Sequence, residues 1–591
     1  MQRHKFSKIG LSCQRSKEND DLFCFSFRER YNVYPSFVTA IIKEEKMIFH
    51  QELKRGTTVI SLLNEEEKKK YYCCKIEGRI QELNFVIEKD GTYDIEFLML
   101  DNPDATRIYA TSMRYLLAFA IKEINPKLEV RFFYNISRSI FVKVINNKNF
   151  KVTTSFVKKV EAKMRELIRA DVPFRRVRMT KEEALQKYKE EHLTDKIRVL
   201  KYRPENYVHL YEASYQGMEY SDYLYGMMVP SSGYLSSFAI RYYAPGFLVQ
   251  VPRSECDGAI PPFTNEMKFA TSLASTYQWA DENRLSTASD INRFLKNYDA
   301  LSLVNLCEAR INNLLADLGK DITENREGVR LICVAGPSSS GKTSFANRLL
   351  YELMARGLRP VRISIDNFYI PKKSLPEGTD IESIDALDLE YFNRFINALI
   401  QGEEMENPVY DFKSGERRFQ KSIRVMDNQP IIIEGIHALN PKMTAEIPDF
   451  QKYKIYIAPQ PQVNIDNHTP ISMTDMRLLR RIARDARTRG SDARETISMW
   501  PNVRNGEFNY IYPTQEYADF VFDSFYPYEP CVLKNIVLPQ LEKITKDQEE
   551  YLTAQRLKNM VRYFLPIPVE DIPCNSLMRE FVGGSSFKDA R

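Results

Sequence analysis

At 591 residues the chain is too long for a single hydrophobic core and is expected to form roughly three to five domains. With 43% hydrophobic and 28% charged residues, and 84 basic against 79 acidic side chains for a net charge of +5, it reads as an ordinary water-soluble protein whose overall surface is not marked for a polyanion. Nine scattered cysteines, Cys73 and Cys74 adjacent and no Cys-x-x-Cys pair, indicate neither a disulfide framework nor a zinc knuckle and point to a reducing cytoplasm.

The start, Met1-Gln-Arg-His-Lys-Phe6, has charge without an apolar stretch, and nowhere do about 18 uncharged apolar residues run together, so neither secretion nor membrane spanning is expected. After an N-terminal extension at 1–45, residues 46–100 carry short strand-like runs at 47–49, 57–60, 71–76 and 93–100 between charged turns, as in a small mixed α/β module. In 101–255, Tyr115, Leu116, Phe119 and Ile124 support a helix over 112–124. Phe156, Val160, Met164 and Leu167 give a second, amphipathic one, and Thr180 with Glu183 forms a capping box opening a third. Tyrosine-rich strands follow between 205 and 251. A helical connector at 256–325, helical from about 285 to 318, leads to a boundary near 324–328, and a tail at 546–591 gives only a weak signal.

Between them, 326–545 alternates strand and helix. Strands at 331–335, 361–365, 430–433, 453–458 and 517–522 describe an α/β domain, a parallel sheet with helices on both faces. Its first strand runs into Gly336, Pro337, Ser338, Ser339, Ser340, Gly341, Lys342 and Thr343, with Ser344 opening a helix. That is a phosphate-binding loop. The two glycines let the chain curl so that backbone amides point at phosphate oxygens, Lys342 supplies a charge and Thr343 a hydroxyl for Mg²⁺. The chemistry implied is that of a phosphotransferase or ATPase using ATP and Mg²⁺. No Asn-Lys-x-Asp guanine-reading motif occurs, which argues against a GTPase.

Ligand-contacting groups in such a sheet lie beyond the C-terminal ends of strands. Two acids stand there. Glu434 closes a hydrophobic strand as a Mg²⁺-holding acid does, and Asp366 could accept the proton of an attacking hydroxyl. The competing explanation has Asp366 capping the next helix and Glu434 paired with a nearby base. Further on, Arg477, Arg480, Arg481 and Arg484 fall three and four residues apart, so their charge shares one helix face. Such a helix suits a lid over a triphosphate, with a solvated helix paired to Asp475 and Asp485 as the alternative.

Taken together, Gly336 to Thr343, Ile365-Asp-Asn-Phe-Tyr369, Asp385-Ala-Leu-Asp388, Pro408-Val-Tyr-Asp-Phe412, Ile433-Glu-Gly-Ile436 and Arg477-Leu-Leu-Arg-Arg-Ile-Ala-Arg-Asp485 resemble the uridine kinase and phosphoribulokinase family in order and spacing. The resemblance implies Asp366 as catalytic base, with Lys342 and Arg484 acting on the transferred phosphate. It assigns Arg481 and Arg489 to substrate and phosphate contacts, Glu382 to ribose hydroxyls and Tyr410 to the side of the nucleoside base. Three positions depart from it. Uridine kinases follow the Tyr-Asp-Phe block with a pyrimidine-reading histidine where Lys413-Ser-Gly415 puts glycine; Glu382 replaces an aspartate; and Met499 stands where a polar lid residue is usual.

Upstream, Arg55-Gly-Thr-Thr-Val-Ile-Ser-Leu62 and Lys75-Ile-Glu-Gly-Arg-Ile-Gln-Glu-Leu83 resemble the TGS module of threonyl-tRNA synthetases, and 105–250 resembles the α+β editing domain that follows it there. The editing histidines and cysteine correspond to Thr111, Tyr115, Leu224 and Met228, none of which replaces an imidazole or thiolate, so an editing hydrolase is not expected. The readings left open are a nucleoside kinase acting on uridine or cytidine, a kinase for another small alcohol such as a sugar phosphate, and an ATP-dependent RNA- or tRNA-binding regulator. A small-molecule nucleoside is the expected partner. Nucleic acid is compatible but not required, no membrane is implied, a homo-oligomer is compatible with the resemblance since relatives are often multimeric, and the cysteine usage gives the cytoplasm as the expected compartment.

Overall fold

A computed structural model describes residues 48–590 apart from 148, 223–225, 325–327, 377, 412, 413 and 428; the extension at 1–45, Leu224, Phe412 and Lys413 lie outside the described residues. Strands β1 (Ile48–Leu53), β2 (Cys73–Ile76), β3 (Arg79–Gln81) and β4 (Gly91–Leu98) form an antiparallel sheet ordered β1-β4-β2-β3. Alternation in β4 sends Ile95 and Phe97 into a small core with Leu53 and Leu83. The run at 57–60, expected as a strand, makes one bridge from Thr58 to Val86 and then a 3-10 turn over Val59–Leu62. Only Val59 of that turn is buried, so no alternating ladder is needed there.

Helix α1 (Pro103–Ile124) starts well before the expected position, because Asn102 caps it through the Asp104 amide and Pro103 takes the first turn. It packs with β5 (Val130–Ile136), β6 (Ser139–Val144) and α2 (Thr154–Arg169), which buries Val160, Met164 and Leu167 as its spacing announces, with Val157 buried beside them and Phe156 only half-buried. Next come β7 (Arg175–Thr180), α3 (Lys181–Glu190) with its capping box between Thr180 and Glu183, and α4 (Thr194–Leu200). Strands β8 (Tyr207–Tyr215), β9 (Met218–Asp222), β10 (Ala239–Tyr243) and β11 (Gly246–Gln250) complete two antiparallel sheets, β10-β11-β6-β5 and β7-β8-β9.

The connector is three helices, α5 (Met267–Glu282), α6 (Ala288–Asn297) and α7 (Ala300–Glu324). They are part of the next core rather than a spacer. Leu303, Val304, Cys307, Ile311, Leu315 and Leu318 of α7 bury in one cluster with Ile332, Val334 and Phe345.

That core surrounds β12 (Leu331–Ala335), α8 (Lys342–Ala355), β13 (Val361–Ser364), α9 (Leu389–Ile400), a hairpin of β14 (Met405–Asp411) and β15 (Glu416–Ile423), then β16 (Ile431–Glu434) and β17 (Lys452–Ala458). A ribbon of β18 (Asn464–Asp466) and β19 (Thr469–Pro470) leads to α10 (Met473–Thr488), α11 (Ala493–Gly506) and β20 (Phe520–Asp523). The main sheet runs β13-β16-β12-β17-β20, every pair parallel. Strands β12 and β16 are buried throughout, which is why they read as unbroken apolar runs. Helices α12 (Glu529–Leu541), α13 (Tyr551–Val561) and α14 (Arg579–Val582) end the chain. Among the described residues no helix is long and apolar enough to cross a membrane.

The front modules are fastened to this sheet through the ribbon. Lys196 Nζ lies 2.8 Å from Asp222 and 2.7 Å from Asp466, all three almost fully buried, and His468 Nδ1 is 2.5 Å from Asp222. Asn464 Nδ2 donates to the Phe132 carbonyl at 2.9 Å, and the Phe132 amide donates to the Asn467 carbonyl at 2.9 Å.

Candidate active site

The loop begins where β12 ends, and its path is forced. A Cβ on Gly336 would stand 2.0 Å from the Ile457 carbonyl oxygen of β17, so only glycine lets the chain pass. Ser339 (φ +60°) and Gly341 (φ +90°) then turn the chain into α8 through left-handed conformations. Lys342 Nζ folds back over the loop, donating to the carbonyls of Gly336 at 2.9 Å and Pro337 at 3.2 Å. Thr343 is half-buried at the first turn of α8.

The arginine helix does not form a lid along its whole face. Arg477 and Arg480 of α10 are fully buried beneath the loop. Arg477 Nε donates to the Ser338 carbonyl at 3.1 Å, while Arg480 Nη1 reaches the carbonyls of Ser339 and Ser340, each at 3.3 Å. Buried Glu507 and Glu529 neutralise them. Leu478, Leu479 and Ile482 are buried on the other sides, which also removes the solvated-helix alternative. The remaining arginines face the site: Arg481 Nη1 donates to Ser338 Oγ at 2.9 Å, and buried Asp485 gathers Arg481 (3.1 Å), Arg484 (2.8 Å) and Arg489 (3.6 Å).

Sheet register sets the acids. Glu434 lies opposite Val334 on one side and Ser364 on the other, between the start of the loop and the turn Ile365–Phe368 that carries Asp366. Asp366 is not the cap of the helix that follows, since Asp388 caps α9 by accepting from the Tyr391 amide at 3.0 Å. Glu434 does have a basic neighbour, Arg362 at 3.4 Å. Burial pushes the Glu434 carboxyl up to about 7, with Asp366 as a like charge adding to it and Arg362 and Lys342 opposing. Burial also raises Asp366, against Lys342, Arg489 and Arg484. The ammonium of Lys342 is lowered by burial and supported by Glu434 and Asp366, so these three groups share one field.

The donor set fits a nucleotide with a divalent cation. The hydroxyls of Ser339, Ser340 and Ser344 are buried in the loop without a hydrogen-bond partner among the described residues, and the buried Glu434 and half-buried Asp366 carboxylates lie beside it. Among the described residues no group of three or more His, Cys, Asp or Glu could hold a metal.

Tyr369 lies among the residues expected to meet the acceptor, Tyr410 and Glu382. Burial raises its hydroxyl, and Asp366, Glu382 and Tyr410 each push it further. The Tyr410 ring lies 5.6 Å from that of Tyr369, and the Tyr410 amide donates to Asn367 Oδ1 at 3.3 Å. Glu382 is raised by burial and countered by Arg481 and Lys342, which puts its carboxylate in the same field. At Gly415 a Cβ would meet Lys372 Cβ at 2.8 Å, so there is no room for a larger side chain without a shift. Met499 is 40% exposed on α11. Sequence reasoning missed His437, which is buried, 3.0 Å from the Glu382 carbonyl through Nε2, and pushed down to about 4 by that burial. It also missed Glu507 and Glu529; isolated acids on later segments carry no spacing signal.

A protein-family model described as Phosphoribulokinase / Uridine kinase family matches residues 331–527. Uridine kinase of Bacillus pumilus (strain SAFR-032) is 30% identical over 196 residues, 32% of this chain and 84% of that protein. Uridine kinase of Saccharomyces cerevisiae is 27% identical over 239 residues, 39% of this chain and 43% of that protein. A solved structure described as a possible uridine kinase from Bacillus stearothermophilus aligns over 36% of this chain and 98% of its own, at 18% identity and a TM-score of 0.27.

Proposed function

This chain belongs to the phosphoribulokinase / uridine kinase family and is a phosphotransferase acting on an alcohol group, and from that premise we propose that it is an ATP- and Mg²⁺-dependent nucleoside kinase. The γ-phosphate would pass to the 5′-hydroxyl of a nucleoside, uridine or cytidine, the first being the one the relatives are named for. The observation that carries this reading is the placement of Asp366. It is half-buried, one strand from Glu434, and within the field of Lys342, Arg484 and Arg489, where a switch protein needs no base.

In this reading the backbone amides of the loop, Lys342 and Arg484 grip the phosphates, with Arg489 beside them. Asp366 accepts the proton as the acceptor oxygen attacks, and Glu382, Tyr410 and Arg481 hold the acceptor. Mg²⁺, held by Thr343 and Glu434, would supply charge neutralisation on the phosphate oxygens. A second reading, a kinase for another small alcohol such as a sugar phosphate, is favoured by the crowding at Gly415, which leaves no place for a pyrimidine-reading histidine.

The front half would then be a TGS-like and editing-like pair without editing chemistry. In support, the Tyr115 hydroxyl is spent on the carbonyls of Tyr211 (3.1 Å) and Tyr220 (3.0 Å), and Met228 is buried. The test is ATP turnover with a panel of nucleosides, sugar phosphates and tRNA in the cytoplasmic pH range. Nucleoside-dependent ADP release with a phosphorylated product is expected. Stimulation by tRNA alone, or no phosphorylated small molecule under any condition, would defeat it.

A further inference from the structure

The segment 576–590 packs against the end of the phosphate-binding loop and the first turns of α8. Its base is anchored: Leu577, Met578 and Phe581 are fully buried in the same cluster as the β12 and α8 side chains. From this base Glu580 reaches inward, and its Oε2 accepts the backbone amide of Ser344 at 3.1 Å. The Glu580 carbonyl accepts from Arg487 Nη2 at 2.9 Å, and the Phe581 ring lies 4.8 Å from the Arg480 guanidinium. Further along, Asp589 accepts from Asn347 Nδ2 at 3.0 Å and pairs with Arg362, the guanidinium that stands beside Glu434.

The amides at the start of a helix that follows such a loop are where anionic phosphate oxygens bind. A carboxylate on the Ser344 amide presents the same charge and the same acceptor. The tail therefore lays one acid on the helix N-terminus and another on the arginine next to the second strand-end acid. A plain helix cap would need only the first of these.

We propose that the C-terminal tail is a built-in competitor for nucleotide. Glu580 holds the place of a phosphate oxygen on the Ser344 amide, Asp589 holds Arg362, and nucleotide binds by displacing both. The competition rests on the reading of the loop as an ATP site, and it lowers apparent ATP affinity to the fraction of molecules whose tail is released.

The experiment uses the full-length chain with ATP and Mg²⁺ as the probe, comparing the parent, Glu580→Gln, Asp589→Asn and the double variant by calorimetry. Replacing a charged acceptor by a neutral one on a shared amide is expected to tighten ATP binding roughly tenfold in Glu580→Gln, with a further gain in the double variant. Asp589→Asn changes a partly exposed group, so it reports on the same competition even if Glu580→Gln folds poorly. In the parent, ATP is expected to speed amide hydrogen exchange in residues 576–590. Unchanged or weaker ATP binding in both single variants, with no change in exchange, overturns the proposal. If the parent binds ATP and Lys342→Ala does not while the tail variants match the parent, only the tail inference falls. If neither parent nor variants bind ATP, the reading of the loop falls with it.

Discussion

Alanine at Gly336 and at Gly341 should damage the loop for different reasons and to different extents. A methyl group at Gly336 would stand 2.0 Å from the Ile457 carbonyl and 3.0 Å from Ser340 Oγ. An unstrained carbon–oxygen contact is about 3.3 Å, so loop and strand have to part by roughly 1.3 Å. Ile457 lies in β17, hydrogen-bonded between β12 and β20, so the loop is the partner that yields. A misplacement of about 1 Å at a positioning element costs on the order of 10²-fold in rate. At Gly341 nothing lies nearer to an added Cβ than Phe581 Cζ at 3.9 Å, and the cost is only that of holding alanine at φ +90°. That strain is about 1–2 kcal/mol, or roughly 5- to 30-fold. Gly336→Ala is therefore expected to lose ATP affinity and kcat/KM by about 10² or more. Gly341→Ala should lose no more than about 30-fold, with Gly341→Asn milder than Gly341→Val. Calorimetric ATP binding and steady-state turnover, on preparations with parental circular dichroism, measure both. A Gly336→Ala protein that binds ATP as the parent does would show that the loop is not pressed against β17, and the cradle argument would fail.

Lys342→Ala should lose ATP binding and turnover together, whereas Asp366→Asn should bind ATP normally and lower kcat by about 10²–10⁴; equal loss of affinity in both would reassign Asp366 to metal binding or folding. Buried His437 has its pKa depressed to about 4, so it stays neutral in the folded chain while the unfolded chain takes up its proton below about 6.5. Its contribution to stability is complete above pH 6.5 and falls by up to about 3 kcal/mol as pH drops through 4. His437→Gln should flatten that part of the urea midpoint against pH, and an unchanged slope would refute it. Lys196→Met leaves Asp222 and Asp466 buried without their shared cation, and an unfolding cost of about 3–5 kcal/mol is expected. A cost under about 1 kcal/mol would mean water reaches the cluster.

The loop and the central strands were legible because their chemistry leaves little choice. Phosphate oxygens require amides at fixed spacing, and strands buried on both faces must be apolar along their length, as β12 and β16 are. The arginine helix was not legible. A spacing of three and four describes Arg477 and Arg480 equally well in water, over a ligand or under the loop, and the choice is made by Glu507 and Glu529 on later segments. Helix α5 escaped notice because its buried face, Phe269, Ala270, Leu273, Thr276 and Ala280, is mostly small residues with little hydrophobic contrast. Glu580 reaches the loop only through long-range packing, and nothing in its neighbours on the chain announces that contact.

The two guanidinium groups under the loop have a consequence for what can change around it. A peptide unit whose oxygen is tethered from below has one direction left for its hydrogen, so the Ser338 and Ser340 carbonyls, once claimed by Arg477 and Arg480, commit the Ser339 and Gly341 amides to the opposite side, while the Ser340 amide donates within the loop to the Pro337 carbonyl. The grip on the anion is thereby shaped before any ligand arrives, by side chains that never meet the acceptor. If Glu382, Tyr410 and Gly415 border the acceptor as proposed, drift there would retune which alcohol is chosen while leaving that grip untouched.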